Sequence, residues 1–524
     1  MDPARERRLG RDRVRRVRRV PRRRERLDRR RRPRNACALR GAASQKWTLS
    51  AQPKPSLWSS RISLPLVPVA ASTLRNGKIL LWASHDRFSF GEDQGKTFTT
   101  IFDPQTGTSS SMTISNTGHD MFCPGTAVLT DGRILVNGGS SSAKTSIYDP
   151  GSNTWTTGAA MNVPRGYQGD TVLPNGDVLT VGGSWSGGIG YKTSEVWNAA
   201  QGWRELPNVN GEDLAGPDPD GPFRSDNHMW LFAWSNDYVL KAGPSAAMHW
   251  IDVRGAGAIA SAGARGDDVY SQNGDVVMYA ANKLLKLGGA PAYESLQASD
   301  AAYVIDFSRG PSLPVPVVKQ GPMQFPRAFA NAVPLPNGQV VVAGGMNVPI
   351  AFSDDKSVMA AELWSPGSGT FVRLAAMTVP RNYHSVAVLM LDGRVFVGGG
   401  GLCGICTTNH PDAEILTPPY LLNSDGTPAA RPTILTAPAT TPATGPFTVT
   451  TDGPVRNFAI VRLGAVTHSV NNDQRRLAVG AATTDGLTYQ IRLPRTSALL
   501  KGDWMLFAMN ARGVPSVAKI VRIQ

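Results

Sequence analysis

The chain alternates short apolar runs with punctuating Gly, Asn, Asp and Pro, and one arrangement of the two recurs along its length. An apolar strand leads into Asn-Gly or Asp-Gly, a second apolar strand follows, and a pair of small residues, usually Gly-Gly, closes the unit. The unit is read at "LRNGKILLWAS" from Leu74, "LTDGRILVNGG" from Leu129, "LPNGDVLTVGG" from Leu173, "LPNGQVVVAGG" from Leu335 and "LMLDGRVFVGGG" from Leu389. Two degenerate copies stand between them, "WSNDYVLKAGPS" from Trp234 and "NKLLKLGGAPAY" from Asn282, making seven. Asn-Gly and Asp-Gly favour two-residue hairpin turns, so each unit predicts a hairpin. Several units continue to a second hairpin marked by "IFDP", "SIYDP" or "ELWSP".

Seven four-stranded units with a period of about fifty residues predict an all-β, seven-bladed kelch-type propeller, here over residues 46–415. Beyond a Pro/Thr-rich crossing, the strands "FTVTT", "NFAIVRL", "TYQIRL", "WMLFAMN" and "VAKIVRI" predict an Ig-like β-sandwich over residues 416–524. In "WMLFAMN" one face holds Trp504, Leu506 and Ala508 and the other Met505, Phe507 and Met509. Both are apolar, so this strand is expected to be covered on both sides.

Charge changes the picture only at the start of the chain. Residues 1–40 hold 19 Arg and 5 acidic residues, whereas the other 484 carry 36 basic and 35 acidic side chains. The folded part is nearly neutral, and no nucleic-acid partner is expected. Residues 1–45 read as a disordered Arg-rich tail without a recognition motif, and it lacks the apolar core of a secretory signal. No stretch approaches the roughly 20 apolar residues of a membrane span, so no membrane partner is expected either.

The repeat also places chemistry. In a propeller the first residues of each innermost strand ring one mouth of the central channel. Nine residues before the turn glycine stand Cys123 (before Gly132), Tyr167 (before Gly176), Phe329 (before Gly338) and His384 (before Gly393), with Tyr383 beside the last. A thiol, two phenols and an imidazole in register point to a metal site. Imidazole with phenolate suits Cu(II) better than tetrahedral Zn(II), and a metal ionises phenols that otherwise titrate near pH 10. Taken alone, Cys123 reads as a small buried hydrophobe. His85, His119, His228, His249 and His410 read as structural.

In chain order "HDMFCPG", "PRGYQ", "GGSWSGG", "RSDNH", "AGPS", "YHS", "GGGLCGICTTNH", "LTPPYL", "THSVNNDQRR" and "WMLFAMNARGVPSVA" resemble the copper-radical oxidases, the family of galactose oxidase, from about Leu64 to the C-terminus. The resemblance implies one copper ion held by Tyr167, Tyr383, His384 and His468, the last brought by a hairpin that the C-terminal domain sends through the channel. It implies a thioether radical cofactor joining Cys123 to Tyr167, with Trp185 stacked on it, and Tyr383 as the base. The implied reaction takes a primary alcohol, foremost the C6 hydroxyl of galactose or galactosides, to the aldehyde while O2 becomes H2O2. Arg224 is implied in substrate binding, with Phe90, Phe352 and Tyr293 as pocket walls, and Cys403 and Cys406 are implied to form a disulfide.

The chain departs from the family in three respects. The family's sugar-binding N-terminal sandwich has no counterpart, Glu294 stands where galactose oxidase has a glutamine, and no signal sequence is visible although the family implies secretion. A monomer acting on a small alcohol or sugar and O2 is expected. Two alternatives stand beside that reading: the same chemistry on glyoxal, aryl or simple alcohols, and a non-catalytic kelch carbohydrate-binding scaffold.

Overall fold

The computed structural model describes residues 55–524; the Arg-rich tail lies outside the described residues. Seven antiparallel sheets follow one another around a ring, and in the first six the innermost blade strand comes first in sequence. The first is built from Ala70–Thr73, Ile79–Trp82, Thr97–Asp103 and Thr108–Ile114. The innermost strands of the next six are Gly125–Val128, Gly169–Val172, Trp230–Ala233, Asp275–Ala280, Ala328–Pro334 and Ser385–Leu389. All seven units of the sequence pattern, the two degenerate ones included, are blades of a β-propeller.

The turns differ from expectation in one respect. Leu74 N donates to Lys78 O at 2.8 Å, inside the Thr73–Ile79 pair, which leaves three loop residues, Arg75, Asn76 and Gly77, rather than two. The Gly77 N–H donates to Leu74 O at 2.9 Å and Gly77 adopts φ +85°. This is a type I turn closed by a left-handed glycine. The residue before the glycine is Asn or Asp because its side-chain oxygen takes the next free N–H. Asn76 Oδ1 accepts from Lys78, Asp131 Oδ1 from Arg133 and Asp392 Oδ1 from Arg394, at 3.0–3.1 Å.

The last blade closes the ring with both ends of the propeller segment. Its third strand, Asp412–Thr417, pairs with Leu57–Trp58 and Ile62–Ser63 from the start of the described chain. That strand runs two residues past position 415, and the first strand of the C-terminal sandwich is Ile434–Thr436. In the sandwich, Arg476–Thr483 crosses between two sheets, pairing with Asn457–Arg462 through its first half and with Thr488–Arg492 through its second. Every residue of Gly502–Met509 is buried. Trp504, Leu506 and Ala508 share a core with Val449, Tyr489 and Ile491 of the sandwich. Met505 and Phe507 pack with Leu335, Leu389 and Val395 of the propeller. The strand is covered on both sides, as its two apolar faces require.

One segment of the sandwich enters the ring. Ala465–Thr467 adds to the inner edge of the first blade, Thr467 opposite Ala70. The buried polar residues after it bond to blade after blade: Asn472 Nδ2 donates to Asp170 O at 2.8 Å and Gln474 Nε2 to Ala332 O at 2.8 Å, while Asp473 Oδ2 accepts from Val128 N at 2.6 Å. His468 stands at the start of this plug.

Candidate metal centre

The residues nine before the turn glycine share a backbone conformation as well as a count. Cys123, Tyr167, Phe329 and His384 have φ of 59°, 69°, 60° and 70°. The same count through the two degenerate blades reaches His228 and Asn273, at φ 55° and 56°. Left-handed backbone is costly for residues with a side chain, and bonds between blades hold it. Tyr167 N donates to Cys123 O at 2.9 Å, His228 N to Tyr167 O at 2.8 Å and Phe329 N to Asn273 O at 2.8 Å. In the first blade the position falls on Pro68, whose ring forbids that conformation. His468, at φ 50°, comes from the plug instead.

The Pro-Arg preceding three of these positions anchors them from behind. Buried Arg165 donates to Gly182 O at 2.8 Å and pairs with Glu195 at 3.1 Å. Arg327 does the same with Gly344 O and Glu362, and Arg381 with Gly399 O and Asp412. A guanidinium fixed by two partners leaves little play in the side chain two or three residues on.

The donor atoms then converge. The Tyr167 and Tyr383 hydroxyls are hydrogen-bonded to each other, and Tyr293 Oη donates to Tyr383 Oη at 3.3 Å. His384 Nδ1 donates to Gly401 O at 2.5 Å, which leaves its Nε2 with the lone pair. His468 is fixed by a similar argument. Thr467 Oγ1 gives its proton to Val69 O at 3.1 Å, so it can only accept from His468 Nδ1, 2.7 Å away. The free Nε2 of His468 faces Cys123 Sγ at 3.4 Å, and ligand atoms of Cys123, His384 and His468 lie within 4.8 Å of one another. The Cys123 thiol is also within hydrogen-bonding reach of the Tyr167 phenol.

Burial sets the charge state. It pulls His384 down to about 3 and His468 well below the ordinary imidazole value, so both rings are neutral. It pushes the Tyr167 and Tyr383 phenols up, with the Cys123 thiol adding to the effect in both and Arg224 opposing it at Tyr383. Burial also works against the charge of Arg224. The phenols of Tyr293, Tyr383 and Tyr167, then the Glu294 carboxylate, outweigh it and hold the guanidinium above its ordinary value.

A cation fits this set. His384 Nε2 is buried without a hydrogen-bond partner, a costly state for a lone pair that nothing meets. Two neutral imidazoles and two ionisable phenols offer the N,N,O,O donors that suit Cu(II).

The remaining expected residues lie around these donors. Trp185 stacks on Tyr167. Phe352 meets Tyr383 edge-on at 5.2 Å and stacks on Phe90 at 5.6 Å. Arg224 lies 4.0 Å over the Tyr293 ring with a buried Nη1 that has no partner. Glu294 is half-buried and caps the Ala351 N–H. Cys403 and Cys406 form a disulfide, and Cys123 is the free cysteine among the described residues.

Over 510 residues the chain is 40% identical to a galactose oxidase of Gibberella zeae, covering 93% of this chain and 75% of that one. It belongs to the galactose oxidase family. Within this family of copper-dependent alcohol oxidases, a solved structure described as a novel fungal alcohol oxidase with catalytic diversity, in complex with copper, superposes with a TM-score of 0.86. It shares 38% identity over 90% of this chain and 99% of that one. Residues 431–523 match the galactose oxidase-like Early set domain. An aldehyde oxidase GLOX of Vitis pseudoreticulata is 26% identical over 77% of this chain and 82% of its own.

His228, read from the sequence as structural, is buried and hydrogen-bonded within the cluster. His228 lies 4.6 Å from the Tyr167 ring and stacks on His468 at 5.0 Å, and its Nε2 is 3.2 Å from Tyr293 Oη. Counting nine residues back from Asp237, at the turn of the degenerate fourth blade, would have found it.

Proposed function

We propose that the protein oxidises a primary alcohol to the aldehyde and passes two electrons and two protons to O2, giving H2O2, with the C6 hydroxyl of galactose or a galactoside as substrate. The observation that carries this is the convergence of Tyr167, Tyr383, His384 and His468, both histidines presenting a free Nε2. When bound by these four, copper supplies one one-electron acceptor, and Tyr167 cross-linked to Cys123 supplies the other.

The chain's own residues supply the rest. Tyr383 Oη accepts the proton of the alcohol, steered by the hydrogen bond from Tyr293 Oη. Arg224, whose buried Nη1 lacks a partner, donates to a neighbouring substrate oxygen and favours the phenolate of Tyr383 by charge. Trp185 covers the Tyr167 ring and limits the access of water to it. Formation of the cross-link replaces the S–H of Cys123 and one ring C–H of Tyr167 by a C–S bond, O2 taking up the two hydrogens.

We assign the protein to the secreted space. Its disulfide suits an oxidising compartment, and no helix among the described residues is long and apolar enough to cross a membrane.

Peptide mass spectrometry before and after aerobic copper loading tests the assignment, together with O2 uptake on galactose. Joined Cys123 and Tyr167 peptides lighter by two hydrogens, with peroxide formed as O2 is consumed, are expected. Separate peptides and no uptake in folded, copper-loaded protein would leave a binding scaffold.

A further inference from the structure

An apolar ledge borders the site on one side. Phe88 and Phe90 are 41% and 37% exposed, and Ile405, at the tip of the disulfide loop, is fully exposed. These side chains come from loops that are tied together. Gly404 N and Asn409 Nδ2 both donate to Phe88 O, at 2.9 and 2.8 Å, and Thr408 Oγ1 donates to Phe352 O at 3.3 Å. Asn409 Oδ1 accepts from Leu402 N and Cys403 N, at 2.6 and 2.9 Å, and the disulfide closes the loop around Ile405. The isoleucine is therefore held out in water by a braced loop.

An isolated exposed Ile needs no explanation. This one adjoins an aromatic surface that runs inward to the reacting groups. Phe90 stacks on Phe122 at 4.6 Å and on Phe352 at 5.6 Å, and both Phe122 and Phe352 pack edge-on to His384, at 5.2 and 5.6 Å. Arg224 and Glu294 belong to the Tyr293 side, and on the other side the carboxylate of Asp120 is buried and paired with His85 at 3.1 Å. An alcohol with its hydroxyl at Tyr383 thus meets donors and charge through one flank and apolar surface through another. Exposed apolar side chains beside reacting groups are where a substrate's apolar part is bound.

We propose that Phe88, Phe90 and Ile405 form a specificity ledge that takes the aromatic or alkyl substituent of a primary-alcohol substrate, so that alcohols carrying such a group are preferred to those carrying a polar or minimal one. The preference in turnover rests on the oxidase reading above; binding to the ledge does not.

Phenyl and methyl β-galactoside are suitable probes, because they share the C6 hydroxyl and differ in the substituent. Saturation-transfer NMR on the protein as purified reads binding, and O2 uptake by the copper-loaded protein reads turnover. The comparison is between wild type, Phe88→Ser/Ile405→Ser, and Leu435→Ser, a change at an exposed residue of the sandwich. The aromatic protons of the phenyl probe are expected to receive saturation in wild type and L435S and several-fold less in the double variant. The phenyl-to-methyl ratio of kcat/KM should exceed one in wild type and fall about tenfold in the double variant. A wild-type ratio of one, or equal saturation in all three proteins, overturns the ledge. Aromatic saturation that the double variant loses, with no O2 uptake on any alcohol, keeps the ledge and overturns the oxidase reading.

Discussion

The indole of Trp185 lies over the phenol ring of Tyr167, 4.7 Å between centroids and 12° from parallel. Trp185 is half-buried on the Gly-rich loop after its strand, whereas Tyr167 is 2% exposed, so the indole is the roof between that ring and water. Replacing Trp185 by Ala is expected to lower kcat about tenfold, or about 1.4 kcal/mol, the upper range for an aromatic pair. The melting temperature should fall only slightly, because the half-buried indole packs on the edge of the core and about 1.4 kcal/mol is small for a fold of this size. O2 uptake and a thermal melt check the two together.

Cys123 can face two ways in this cluster, toward Tyr167 as a cross-link partner or toward the histidines as a third ligand. The two roles separate in Cys123→Ser. If the thiol makes the cross-link, copper affinity stays within a few-fold of wild type while the peptides remain separate and O2 uptake falls to background. A metal titration against a competing chelator, run beside peptide mass spectrometry, decides. A large loss of affinity would make the thiol a ligand.

Much of this arrangement was legible because a propeller converts sequence period into angle around one axis. Counting back from the turn glycine placed Cys123, Tyr167 and His384 at one mouth without any coordinates. The count was out of reach at His228 because the fourth blade has Asn-Asp where the five regular blades have Asn-Gly or Asp-Gly, so the landmark itself had eroded. His468 lay beyond any count. It reaches the ring through a plug from another domain, and its place depends on Asn472, Asp473 and Gln474 bonding to blades far away in sequence. The three-residue turns were misread for a local reason. Asn-Gly fits both turn types, and only the bond from Leu74 N to Lys78 O shows which one forms.

Thr467 holds the tautomer of His468, and its own proton is committed to Val69 O. Thr467→Val keeps the shape and removes the acceptor, so His468 Nδ1–H loses its partner. Copper affinity is expected to fall by about 10- to 100-fold, the usual cost of losing the hydrogen bond that orients a metal-binding histidine. The same chelator competition measures it, and Thr467→Ser, which retains the hydroxyl, should restore most of the loss.

His119 gives a prediction in pH. It is fully buried, with Nε2–H donating to Gly138 O at 2.9 Å and Nδ1 accepting from Ser146 Oγ at 2.9 Å, and burial pulls its pKa from 6.5 down to about 4. The folded state therefore refuses a proton that the unfolded chain takes up below pH 6.5. Between pH 6.5 and pH 4 the unfolded state binds more protons, so stability falls as pH falls, by about 3 kcal/mol across the window from this residue. Above pH 6.5 the histidine contributes no slope. Urea denaturation at pH 7, 5.5 and 4.5 should show a steeper loss in wild type than in His119→Gln, which starts less stable at pH 7 but does not titrate. Parallel pH profiles for the two proteins would show that the acid sensitivity of the fold lies elsewhere.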